Sequence, residues 1–274
     1  MALIAVLWLV TAMGLIITGI VKSVRSEVRI AGFQRQALIA NGLADAAILL
    51  ALQNLHAQQM ELRNTIQVIP VQFEGLTSQV EVQPLNGLID INNATPLLLA
   101  NMYRYAGGLN PNAAQTLAQA TVESRQLKNA KGVAQGFDAI EDLLRVPAMN
   151  YTLYAKIAGL VTAEVGESSG RVNPMSAPQE VIQVLTDGDT SRATVLVAKR
   201  NVDPNAMDTS FLKPDFIQMA SSRSLRLKVS VALPEGGHFQ KIWHVYWGAD
   251  PRSELPWRLL STQQSSQPSA PFEH

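Results

Sequence analysis

The first 21 residues, Met1 to Val21, contain no charged side chain. Eleven of them are Leu, Ile or Val, and a helix of that length rises about 30 Å, enough to cross the apolar core of a bilayer. At roughly −0.3 to −0.6 kcal/mol each near the membrane centre, the eleven favour insertion by about 3–7 kcal/mol. That offsets Thr11 and Thr18, whose hydroxyls can bond back to helix carbonyls. A secretory signal peptide combines a shorter apolar region with a basic segment before it and a small-residue cleavage site after it. This stretch shows none of the three, and reads as a retained membrane helix over 1–21.

The helix is expected to leave the membrane unbroken. There is no proline from Lys22 to Leu62, and an apolar stripe continues through Val24, Val28, Ala31, Leu38, Leu43, Ala46, Ala47 and Leu50 at spacings near three and four. About 60 residues at 1.5 Å each make a rod near 90 Å. Gly14, Gly19, Gly32 and Gly42 are positions where it can bend or meet another helix closely. Lys22, Arg25 and Arg29 would by the positive-inside rule draw the following flank into the cytoplasm. A basic leader, removed from in front of Met1, would resolve that conflict for an exported domain.

Beyond the rod the chain reads as α+β. Thr65 to Glu74 and Thr77 to Gln83 alternate apolar and polar around Gly75, a hairpin with Pro70 at an edge position. Strand patterns then stop for more than 120 residues and resume at Ser224 to Leu233, His238 to Trp247 and Pro256 to Leu260, with a turn over Pro234 to Gly237. One antiparallel sheet, 64–86 with 217–262, interrupted by a large helical insertion, 87–216, is the simplest arrangement that buries all the amphipathic strands. Residues 263–274 are expected to be disordered.

Within the insertion, Thr95 with Pro96 and Asn110 with Pro111 each supply a helix N-cap and first turn. Asp138 with Glu141, and Ser176 with Gln179, match the capping box. A fourth helix is expected over Tyr151 to Val161. The phrases IDINNATPLLL and RVNPMSAPQEVI use one opening twice, a weak repeat.

Net charge is zero, with 22 basic and 22 acidic residues, so no bulk field favours nucleic acid. The absence of Cys excludes disulfides and thiolate metal sites. GESSG at Gly166 to Gly170 matches a nucleophile elbow with Ser168 in the nucleophile's place, but Arg171 to Pro174 cannot continue the helix that motif requires. His238 and His244 share a strand face without further nominated ligands. Two helix pairs with short breaks, AGGLN at 106–110 and VPAMN at 146–150, resemble the helix-hairpin-helix module that binds DNA phosphates. The second has Ala148 and Asn150 where that module has glycine. From Leu85 to Leu185 there are seven basic and eight acidic residues, against a module that needs clustered positive charge. Asp187, Asp189, Asp203 and Asp208 place hard oxygen ligands in Gly- and Pro-containing segments, candidates for calcium, although the spacing is not that of an EF-hand.

The phrases MALIAVLWLVTAMGLII, GLIDINNATPLLL, GFDAIEDLLRVPAM and SGRVNPMSAPQEV together resemble the general secretion pathway protein K family, the minor pseudopilins of type II secretion systems, over most of the chain. The resemblance implies a leader removed by prepilin peptidase, with Met1 about where the mature chain starts. It also implies a single pass through the inner membrane, a periplasmic globular part and bound calcium. Most pilins carry Glu at the fifth mature position; here that place is Ala5, and protein K is the member known to lack it. A subunit without that carboxylate cannot neutralise the terminus of a subunit above it, and is suited to sit first. The implied work is assembly, not catalysis. Leu3, Ala5, Leu7, Val10, Gly14, Ile17, Val21, Val24 and Val28 would pack against the helices of the I and J types of minor pseudopilin, at a pseudopilus tip. The runner-up is a membrane-anchored helix-hairpin-helix DNA receptor, and a hydrolase using Ser168 is third.

Overall fold

The structure, a computed structural model, describes residues 2–57, 64–73, 76–127, 134–163, 169–203, 207–233, 237–250 and 253–268. Helix α1, Ala2–Ala57, is continuous over 56 residues, about 84 Å. Thr11 Oγ donates to the carbonyls of Leu7 and Trp8, each at 2.9 Å, so the hydroxyl is satisfied inside the helix.

Among the described residues of α1, it is those of the second half that pack against the rest of the chain. Ala40, Ala44, Ala47, Ile48, Ala51, Leu52 and Leu55 are buried against a five-stranded antiparallel sheet of order β1-β2-β5-β6-β7. Its strands are β1 (Gln67–Phe73), β2 (Leu76–Pro84), β5 (Ser224–Ala232), β6 (Gly237–Trp247) and β7 (Trp257–Pro268). Small Ala side chains let the helix lie close on the alternating inner row Leu225, Leu227, Val229 and Val231. Lys241 enters this interface from β6, its Nζ 2.6 Å from Asn41 Oδ1 and 2.7 Å from Asp45 Oδ2. At the far end His56 lies 6.3 Å from Trp247, which stacks on Trp257. Helix α1 therefore runs along β6 in the same direction, and Phe33 and Ala37 are the earliest of its described residues packed against this core.

The helical insertion leaves β2 at Pro84 and rejoins β5 at Ser224, both at the sheet end remote from residue 2. It contains β3 (Ile89–Asp90), α2 (Pro96–Tyr105), α3 (Pro111–Arg125), α4 (Tyr151–Ile157), β4 (Val161–Thr162), α5 (Gln179–Leu185) and α6 (Thr190–Val202) around its own core. The repeated opening is a structural repeat, each position of the second lying 83 residues after its counterpart. Asp90 Oδ1 accepts from the Asn92 amide at 2.8 Å, and Asn173 Oδ1 from the Met175 amide at 3.0 Å. Ala94 and Ala177 are both fully buried, as are Leu98 with Val181 and Leu99 with Ile182. Arg125 at the end of α3 donates to the carbonyls of Ile91 and Ala94, and Arg200 near the end of α6 to those of Pro174 and Ala177. The two openings pack on each other reciprocally: a Cβ at Gly87 would overlap the Ser176 carbonyl, and one at Gly170 the Asn93 carbonyl. Each opening also pairs in parallel with a later segment, Ile89 with Val161 and Val172 with Ile217.

Several boundaries differ from the sequence reading. The expected third helix is a 3-10 segment, Ile140–Arg145. Its N-terminal amides, Asp138 and Ala139, are held by the carboxylate of Asp142, not by the Asp138 and Glu141 pair. Helix α4 stops at Ile157, because Val161 is needed to pair with Ile89. No capping box forms at Ser176 and Gln179; Pro178 is the N-cap of α5, and the buried Ser176 hydroxyl instead donates to Asn86 Oδ1 at 3.1 Å. Residues 217–223 belong with the helical core, through Ile217, so the second part of the sheet starts at Ser224. Strand β7 continues to Pro268 through residues expected to be disordered, because ladder bonds to β6 hold a polar strand that no hydrophobic pattern announces. Residues 269–274 and the turn at 234–236 lie outside the described residues.

Candidate functional site

Helix α1 carries two apolar faces. Taking about 100° per residue, Ala40, Ala44, Ala47, Ala51 and Leu55 fall within about 40° of one azimuth, the one buried on the sheet. Val24, Val28, Leu38, Gly42 and Leu49 fall within about 40° of the opposite azimuth, interrupted there by Arg35 and Gln53, and all seven are exposed. Val28 is 67% and Leu38 71% exposed. A Cβ at Gly42 would meet open space. A single domain in water has no use for a second apolar face, and exposed stripes of this kind mark a surface that another partner covers. The apolar window Ile30–Ala57 has the composition of a membrane span, but its second half is the part seated on the sheet, which accounts for its composition.

Of the nominated packing residues, Leu7, Val24 and Val28 are exposed on α1, and Leu7 continues into the apolar end with Ile4, Val6, Trp8 and Leu9, all exposed. Met1 and the side chains of Leu3, Ala5, Val10, Gly14, Ile17 and Val21 lie outside the described residues. Leu38, Gly42 and Leu49 were absent from that nomination, although their spacing of four and seven continues the row from Val28.

The hairpin between α2 and α3 has little to offer a phosphate. The amides of Gly107, Gly108 and Leu109 already donate to the carbonyls of Met102, Arg104 and Tyr103, closing the helix end. Lys156 Nζ donates to the Gly107 carbonyl at 3.3 Å. At the second hairpin Ala148 adopts φ of 70°, so the backbone keeps the left-handed turn there although the glycine is gone.

The acidic residues sit in three settings. Asp187, at φ of 56°, accepts from Asn101 Nδ2 at 2.8 Å and Lys213 Nζ at 2.9 Å through one oxygen. Asp189 is the N-cap of α6, accepting from the Arg192 amide at 2.8 Å. Asp203 is the C-cap of the same helix. Asp208 accepts from the Ser210 amide at 3.0 Å, and bonds from Ser210 hold its carboxyl below the usual range. Among the described residues no group of three or more His, Asp or Glu is placed to hold a metal ion. Residues 190–202, between these acids, form α6. Ser168 lies outside the described residues. His238 is exposed, and His244 Nδ1 is 3.0 Å from Ser261 Oγ.

Comparison of the sequence with family models and with curated proteins gives no match. Among solved structures, the chain is similar to one in the GspK-GspI-GspJ complex from the enterotoxigenic Escherichia coli Type 2 Secretion System. The likeness has a TM-score of 0.47 and 16% identity, and covers 88% of this chain and 100% of that one.

Proposed function

We propose that this chain is a minor pseudopilin of a type II secretion system, a non-enzymatic subunit that caps the pseudopilus tip and helps start its assembly for export of folded proteins across the outer membrane. The observation that carries the reading is the second apolar face of α1, opposite the one buried on its own sheet and continuous with a charge-free end long enough to span a bilayer. Such a helix, anchored at one end and unpartnered along one side, is built to lie parallel to other anchored helices. Gly42 on the exposed face allows a close approach. Ala5 in place of a carboxylate suits a subunit with nothing above it. In this reading prepilin peptidase frees Met1, the anchor crosses the inner membrane once, the globular part is periplasmic, and the helices of the I and J types of minor pseudopilin cover the exposed face. Calcium, which the resemblance implies, is not assigned to Asp187, Asp189, Asp203 and Asp208, because the described residues do not group them around one point.

The test is co-purification of the full chain, in detergent, with the other minor pseudopilins of its own system, with calcium and again with chelator. A stoichiometric complex is expected, and Leu38→Lys should lower its recovery about tenfold, roughly 1.4 kcal/mol, while leaving the melting temperature of the isolated chain within a degree or two. Loss of the complex under chelation would assign calcium a role in assembly. No complex, with salt-dependent binding of duplex DNA instead, would replace this reading with the receptor.

A further inference from the structure

Lys241 is buried, 7% exposed, between β6 and α1, on the strand face it shares with the buried Phe239 and Val245 and the partly buried Trp243. Facing it are Asn41 and Asp45, one turn apart on α1. The Lys241 Nζ donates to Asn41 Oδ1 at 2.6 Å, and lies 2.6 and 2.7 Å from the two carboxylate oxygens of Asp45. Amine, carboxamide and carboxylate thus meet at one nitrogen, although 200 residues of chain separate Asn41 from Lys241. A buried ammonium needs a counter-charge, and Asp45 supplies it. Charge balance does not account for Asn41, which brings its carbonyl, and with it the electrophilic Cγ, against the same nitrogen.

We infer that this is a modification site, at which Lys241 and Asn41 condense to an isopeptide bond with loss of ammonia. Asp45 takes a proton from the Lys241 ammonium and leaves an amine with a free lone pair. Rotation of the Asn41 carboxamide about Cβ–Cγ then turns the hydrogen-bonded contact into attack of Nζ on Cγ. The Nζ–Cγ bond forms and the Cγ–Nδ2 bond breaks. Nδ2 takes one proton from Nζ and the one held by Asp45, departs as ammonium, and leaves Asp45 a carboxylate again. Nothing is oxidised or reduced, and no further reactant enters. The Asp45 side chain, 32% exposed, marks the way out for the ammonium. The fold holds the three groups together, which replaces a bimolecular encounter with an effective concentration on the order of 10⁵ M. Proton transfer through a placed carboxylate adds about 100-fold or more. The product staples α1 to the sheet, so that the helix cannot peel away from β6. The inference does not rest on the assembly reading, because every group in it belongs to this chain.

The test is peptide mapping by mass spectrometry of the full chain, purified in detergent. Trypsin should spare the acylated Lys241 and release a branched species that joins 36–63 to 229–252, lighter by one ammonia, about 17 Da, than the two peptides summed. Recovery of 229–241 and 242–252 as separate peptides, with 36–63 unbranched, would overturn the inference. Asp45→Asn keeps the shape of the site and should form the link about 100-fold more slowly, so that freshly made chain carries less than about a tenth of the parent's branched species. Equal linkage in that variant would overturn the part given to Asp45. Asn41→Ala, which keeps the ion pair, should lack the branched species altogether, and its persistence there would overturn the assignment to Asn41.

Discussion

The two halves of the helical insertion use one backbone device and different side chains to hold it. Both openings turn on an Asx side chain, bury an Ala, start a helix and receive an arginine clamp on the same two carbonyls. In the first half α2 has a side-chain cap, Thr95 Oγ accepting from the Leu98 amide at 3.2 Å; in the second, α5 has Pro178 at its N-cap and no side-chain acceptor. In the first half the clamp, Arg125, is partly exposed; in the second, Arg200 is 5% exposed. Tyr103, fully buried, has Thr186 as its counterpart, which bonds back to the carbonyls of Ile182 and Gln183. The backbone geometry is thus the common element, and each half satisfies it with whatever its surroundings bury.

The largest expected effects break the contact between the halves. Gly170→Ala should cost about 3–5 kcal/mol, since it drives a methyl into the Asn93 carbonyl and holds a non-glycine residue at φ of 75°. Gly87→Ala, with the clash but without positive φ, should cost about 2–3 kcal/mol. Denaturant melts of the full chain give both numbers, and equal values would mean that backbone conformation adds nothing at Gly170.

Next come the clamps. Arg200→Met leaves the Pro174 and Ala177 carbonyls without their donor in a buried site and should cost about 3 kcal/mol. Arg125→Met should cost less, about 2 kcal/mol, because its guanidinium is itself partly open to water, although the Ile91 and Ala94 carbonyls it serves are as buried as those of the second half. Burial lowers the pKa of both guanidinium groups, and a reversed order of the two variants would show that burial does not set the strength of the clamp.

Tyr103 distinguishes the halves by pH. Its phenol is pushed up to about 12 by burial, against a partial offset from the Thr121 hydroxyl 2.8 Å away. The unfolded chain loses this proton first, so the stability is complete below about pH 10 and is lost as pH rises toward 12, on the order of 2–3 kcal/mol. Tyr103→Phe should flatten most of that alkaline loss, measured as melting temperature against pH. Tyr154, also raised to about 12 but more open to solvent, accounts for a smaller remainder. An unchanged alkaline slope in the variant would place the titration elsewhere.

The smallest effects concern the caps. Thr95→Ala should cost about 1 kcal/mol, and Pro178→Ser should gain about 0.5 kcal/mol by giving α5 the acceptor it lacks. Matching changes at both positions would indicate that the caps matter little once the openings are packed.

Much of this was legible along the chain where the physics is local. Thr95 with Pro96, and Asn110 with Pro111, cap within four residues of themselves, so their roles could be read directly. The hairpin and the β5 and β6 strands followed from alternation, and the doubled opening from its wording. What could not be read depends on partners far away. Ser176 satisfied its hydroxyl on Asn86 rather than on a capping box, and Arg125 and Arg200 found carbonyls 23 to 34 residues distant. Asp187 found Asn101 and Lys213, and the polar half of β7 found a ladder.

The sequence by itself determined the charge-free helix, its unbroken length and the repeated opening, because helix continuity and capping are decided by neighbours three or four residues apart. Only the tertiary structure decided which face of α1 is occupied and which is left open, since both are apolar and composition cannot tell them apart. The sheet settles it: Ala40, Ala44, Ala47 and Ala51 are small enough to seat the helix closely against β5 and β6, and that choice turns Val28, Leu38 and Leu49 outward.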